Sequence, residues 1–171
     1  MPNTFTKGNI QTAIWGGGLG RISGLDGVWL SIPTGHQAFV QTMGTGSDPN
    51  LTLSVVTNAD DLATILWQPL STIWVKKCRI YFGEGGSVNT THKASFVRYN
   101  IDADGDLSSG AIVGLTTTNA GYDDYSQLRS SDLIIAADNR VTSSQILIAF
   151  VMCVDAVNTA FSAKCIMEYT T

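Results

Sequence analysis

The 171-residue sequence is short of charge. Lys and Arg number 10, Asp and Glu 14, together 14% of the chain against roughly a quarter in ordinary soluble domains. The net charge of -4 leaves no basic surplus to neutralise a phosphate backbone, which excludes a duplex-coating role, and no nucleic-acid partner is expected. No run reaches the roughly 18 apolar residues of a spanning helix, so no membrane partner is expected either. The opening Met1-Pro2-Asn3-Thr4-Phe5 lacks a charged stretch followed by an apolar one, so synthesis without a secretory leader, in a host cytoplasm, is the expectation.

Groups for chemistry are equally scarce. Cys78, Cys153 and Cys165 are an odd set with no C-x-x-C pair, where a thiolate zinc site wants ligands two to four residues apart. Each lies in an alternating apolar run and reads as a core thiol, although Cys153 and Cys165 fall on strands that read as neighbours, where a bridge is conceivable. His36 and His92 lack metal-ligand spacing, and His92, opening a strand, reads as a surface or interface side chain. Gly20-Arg21-Ile22-Ser23-Gly24 is not a nucleophile elbow. The glycines from Gly16 to Gly24 match neither the dinucleotide nor the Walker fingerprint and lack a βαβ setting. No enzyme, no cofactor and no metal are expected.

What is abundant is glycine (17) and a 44% hydrophobic content, in a chain long enough to bury about 70% of its unfolded surface. Period-two runs fill the sequence. Ile73 to Phe82 reads as a strand with Ile73, Val75, Lys77, Arg79 and Tyr81 on one face and Trp74, Lys76, Cys78, Ile80 and Phe82 on the other. His92 to Ile101, Ile112 to Thr116, Leu128 to Ala136, Ile146 to Val154 and Ala160 to Tyr169 follow, the last two as a hairpin around Asp155 to Thr159. Leu25 to Ile32, Ala38 to Met43 and Leu51 to Val55 read as earlier strands, while Thr57 to Gln68 divides evenly between a short helix and a strand.

Roughly eight to ten short strands, without a βαβ rhythm, predict an all-β antiparallel sandwich, best fitted by a jelly roll. Residues 1–20 read as an N-terminal extended arm with a Gly-rich linker, and 21–171 as the sandwich domain. Phe5, Ile14 and Trp15 are the interface candidates from that arm.

Two acidic clusters need weighing. Asp102, Asp104 and Asp106 alternate as the first ligands of a calcium loop do, but Leu107 replaces the turn glycine and Val113 the bidentate Glu, so a solvated turn is the stronger reading and a weak cation site the lesser one. Tyr122, Asp123, Asp124 and Tyr125 combine rings with carboxylates, as a sugar-binding loop would, though a tyrosine pair equally suits an interface.

The stretches Ile80-Tyr81-Phe82-Gly83-Glu84-Gly85-Gly86, Asn89-Thr90-Thr91-His92 and Arg98 to Ser108 give the chain from about Ile73 onward a texture that resembles small virion structural proteins of tailed bacteriophages, chiefly aquatic and marine ones. That resemblance implies a jelly-roll body placed on the outer capsid surface as a decoration, or cement, protein. It further implies a homotrimer bridging subunits of the major capsid protein. The competing expectation is a tail, fibre or head-fibre protein that binds host surface carbohydrate. A free carbohydrate-binding or enzymatic jelly roll comes third.

Overall fold

The computed structural model describes residues 9–21, 27–34, 43–51, 63–84, 91–103, 106–116, 127–154 and 160–171. Its strands, in chain order, are β1 (Gln11–Arg21), β2 (Trp29–Ile32), β3 (Leu66–Trp67), β4 (Ile73–Glu84), β5 (Thr91–Ile101), β6 (Leu107–Leu115), β7 (Gln127–Asp132), β8 (Ile134–Ile135), β9 (Arg140–Val141), β10 (Gln145–Val154) and β11 (Ala160–Thr170). Every pairing among them is antiparallel. One sheet runs β1-β11-β4-β7 with β9 beside β4, and the other runs β2-β10-β5-β6-β8 with β3 beside β10. With the two-residue strands set aside, the eight that remain switch sheets at every step except the β5–β6 hairpin, and the last strand lies against the first. That is the jelly-roll order.

The inner faces meet in a core whose members alternate along each strand, with one break on β4 between Val75 and Cys78: Val75, Cys78, Ile80 and Phe82 from β4, Ala94 and Phe96 from β5, Leu147, Ala149 and Val151 from β10, Cys165 and Met167 from β11. Trp15 plugs its centre, edge-on to Phe96 with ring centroids 4.7 Å apart. The second sheet is buried on its outer face as well, where Trp29, Val97, Tyr99, Ile146, Ile148, Phe150 and Met152 form a separate cluster with Met43 and Ile65. This double burial makes β10 an unbroken apolar run from Ile146 to Cys153. The chain from Met43 to Leu51 is tied across this layer. The Tyr99 hydroxyl donates to the Asn50 carbonyl (2.6 Å), the Trp29 indole to Gly46 (3.0 Å), and the Gly110 amide to Leu51 (2.7 Å).

Several expectations need correction. Gln11–Arg21 is a strand within the span read as arm and linker, paired with β11 from Gln11↔Tyr169 to Arg21↔Ala160. Its glycines are accommodated by a bulge in which Gly17 is the extra residue. On β4, Lys76 is likewise extra, since Glu168 pairs with Lys77 and Tyr169 with Val75. The bulge puts Ile73 and Val75 on the same inward face as Cys78, Ile80 and Phe82, and turns Lys76 out with Lys77, where strict alternation separates them.

Leu128 to Ala136 is two strands in different sheets, with buried Leu133 at the crossing and its amide on the Cys78 carbonyl. β10 and β11 are not a hairpin, because the chain crosses from one sheet to the other between them. Cys153 and Cys165 therefore reach the core from opposite sheets, and all three cysteines are buried and form no disulfide. Between Thr57 and Gln68 both readings have a share: residues 63–65 are helical and Leu66–Trp67 is strand. Most of Ala38 to Met43 and of Leu51 to Val55 lies outside the described residues.

Candidate interaction face

The outer face of the β1-β11-β4-β7 sheet differs from its counterpart. Pairing lays out its rows: Ile14 opposite Ile166, Ile166 opposite Arg79, and Arg79 opposite Asp132; then Gly16 opposite Lys164, Lys164 opposite Tyr81, and Tyr81 opposite Ser130; then Ser162 opposite Gly83, and Gly83 opposite Leu128. One half of this surface is a shallow groove of about 640 Å³ bordered by Ile14, Tyr81, Leu128 and Ile166, with Gly16 and Gly83 in its lining.

Its floor is low because two cross-strand positions carry no side chain. A Cβ at Gly83 would come within 2.7 Å of the Ser162 hydroxyl, and one at Gly16 within 2.9 Å of Lys164 Cγ. Leu128 is 74% exposed and Ile14 52%, a pair of large aliphatic side chains presented to water on one sheet face.

The other half is ionic. Arg79 holds Asp132 with two parallel bonds, Nε to Oδ1 at 2.6 Å and Nη2 to Oδ2 at 3.0 Å, and Lys77 Nζ lies 3.5 Å from the same carboxylate. The Arg79 hydrogen bond holds the Asp132 carboxyl below its ordinary range, and the same bond raises Arg79. The surface thus has an apolar depression beside a pinned ionic cluster, with Tyr81 and Ile166 facing both. Exposed aliphatic side chains next to fixed charges, with Lys164 also in the groove lining, make a face on which both kinds of contact are available.

The residues expected to act fall in different places. Ile14 borders the groove. Trp15, its neighbour, points the opposite way and is wholly buried, so it belongs to the core and not to an interface. His92 is a second correction: it is 1% exposed and stacks on Phe82 at 4.7 Å, and burial pushes its imidazole down to about 4. Asp102 Oδ1 accepts the Asp106 amide at 2.9 Å, and the Asp102 amide donates to the Asp106 carbonyl, which ties the two strand ends of the β5–β6 connection together. Among the described residues no group of three potential metal ligands occurs. Phe5, His36, Asp104, Tyr122, Asp123, Asp124 and Tyr125 lie outside the described residues.

Tyr81, Leu128 and Ile166 escape the sequence reading. The signal available was Ile166 standing in the outward series Ser162, Lys164, Glu168 of β11.

No family model and no curated protein matches the chain. Among solved structures it is similar to a chain of the T13 IBDV viral particle (TM-score 0.45, 10% identity) and to one of the infectious bursal disease virus Gx strain (TM-score 0.41, 11% identity). Each match covers 95% of this chain but only 32% of the other, so the chain spans about a third of the length of those proteins. Likeness of that degree says nothing of activity, and the jelly roll rests on the strand order itself.

Proposed function

We propose that this protein is a virion structural component, and specifically a capsid decoration protein. In this reading it sits on the outer capsid surface, bound to the major capsid protein and assembled as a homotrimer. The observation that carries the reading is the asymmetry of the sandwich. One sheet has its outer face covered by the protein's own chain, while the other presents Ile14, Leu128, Tyr81 and Ile166 around a glycine-lined depression. A brick-like β-body with one adhesive face suits a subunit that works by contact.

The texture of the strands from Ile73 onward, which resembles phage virion proteins, supports the same role. A closed trimer uses one heterologous contact per subunit and matches the local three-fold points of an icosahedral shell. Three modest contacts then hold firmly through effective concentration.

The test combines copy number with a surface variant. Purified particles should carry the protein in numbers comparable to the shell subunits, and retain it when tails are removed. Leu128→Asp, at an exposed position where the fold tolerates change, should lower particle occupancy about tenfold or more while leaving the circular-dichroism spectrum intact. A few copies lost with the tail would instead identify a tail or fibre component.

A further inference from the structure

A second concavity lies at another end of the sandwich, where the chain leaves β3 and enters β4. It encloses about 450 Å³ and is lined by Gln11, Trp67, Gln68, Ser71 and Tyr169 among others, with Leu70 fully exposed at its border. We propose that this concavity is a binding site for a neutral sugar, independent of the lattice-binding face.

Its walls are the two half-buried rings of Trp67 and Tyr169, with centroids 5.3 Å apart and tilted by 58°. Trp67 is braced from behind by Trp15 at 5.9 Å, which fixes the platform to the core. Around the rings the side chains are amides, hydroxyls and a few aliphatic groups, and none of the described side chains that line it is charged.

The hydrogen bonds already made define what the amides still offer. Gln11 accepts the Tyr169 hydroxyl through Oε1 at 2.8 Å, which leaves its NH2 as donor. Gln68 donates Nε2 to the Ser143 carbonyl at 2.7 Å, which leaves its Oε1 as acceptor. Ser71 supplies a hydroxyl that can do either. A spare donor, a spare acceptor and a rotatable hydroxyl beside aromatic walls are complementary to a molecule with hydroxyls on its edge and C–H groups on its face. An ionic ligand would find no side-chain countercharge here, and a purely apolar one would strip water from the amides without replacing it. The volume accommodates one or two sugar rings, within the range of small-molecule sites.

The full-length protein is tested by saturation-transfer NMR against free glucose, galactose and N-acetylglucosamine, each at about 20 mM, a concentration suited to millimolar binding. Transfer to at least one of them is expected. Gln68→Ala should reduce it about fivefold, as expected for one lost hydrogen bond. Trp67→Leu should abolish it, and Lys164→Ala, on the groove face, should leave it unchanged. Because Trp67→Leu disturbs a ring packed on Trp15, the Gln68→Ala result is decisive by itself. No transfer from any of the three sugars, or transfer that Gln68→Ala leaves intact, overturns the proposal. So does transfer lost equally in Lys164→Ala.

Discussion

His92 gives the protein a specific acid sensitivity. Its imidazole is 1% exposed, lies against the Phe82 ring and opposite Cys153, and is held neutral by burial with its pKa lowered to about 4 from an ordinary 6.5. A histidine depressed in the folded state favours unfolding once the unfolded chain can take up a proton that the native state refuses. The stability it secures is therefore complete above pH 6.5, drains away as pH falls from 6.5 towards 4, and changes little below that. A difference of about 2.5 pKa units corresponds to about 3 kcal/mol, a sizeable part of the roughly 5–15 kcal/mol that holds a domain folded.

For a chain of this size that loss lowers the melting temperature by roughly 6–12 °C between pH 7 and pH 4. The lowered Asp132 carboxyl also loses its contribution on acidification, but only as pH falls below the ordinary carboxylate range, so the two windows separate. Calorimetric melts of wild type and His92→Gln at half-unit steps from pH 7 to pH 4 make the comparison. The variant starts less stable and should show a much flatter profile. Parallel curves, with the same loss in both proteins, would refute the account of a buried neutral imidazole.

Three further outcomes follow from the geometry. Asn139 brackets the β4 bulge, taking the Val75 amide on its backbone carbonyl at 3.0 Å and donating Nδ2 to the Val75 carbonyl at 2.8 Å; Asn139→Ala should cost about 1–3 kcal/mol in urea denaturation by leaving that carbonyl unpaired. A Cβ on Gly110 would lie 2.4 Å from the Leu51 carbonyl oxygen and 2.8 Å from the Tyr99 ring, so Gly110→Ala should destabilise by about 1–3 kcal/mol and speed amide exchange around Leu51. Burial raises the thiols of Cys78 and Cys165, so a chromogenic disulfide reagent should leave both unmodified in the native protein and titrate them only in denaturant.

The strands that carry the fold are legible in the sequence wherever period two is clean, as in His92 to Ile101 and Ala160 to Tyr169. Their partners are not. Ile146 to Val154 and Ala160 to Tyr169 are joined by a short connection that looks the same whether the chain folds back within a sheet or crosses to the other. The difference lies in β10, apolar on both faces because it sits between two hydrophobic layers, against β11, which is apolar on one. Bulges hide in the same way. Nothing local marks Lys76 as the extra residue, and its effect appears only when Val75 and Lys77 face consecutive residues of β11.

Trp15 is misread for a related reason: glycines on its C-terminal side erase the alternation that would have placed it inward. The groove is partly legible, through Ile14. Leu128 and Ile166 join it through sheet pairing, which brings together residues from opposite ends of the chain.

The pairing of the first strand with the last has a practical outcome. Gln11 stands directly opposite Tyr169, with a side-chain bond between them, so the start of β1 and the end of β11 share one corner about a strand spacing of 4.8 Å apart. Segments that leave β1 and β11 at that corner start side by side. A short peptide sealing the corner, with a new opening cut in a surface connection elsewhere, should give a re-threaded polypeptide of unchanged architecture.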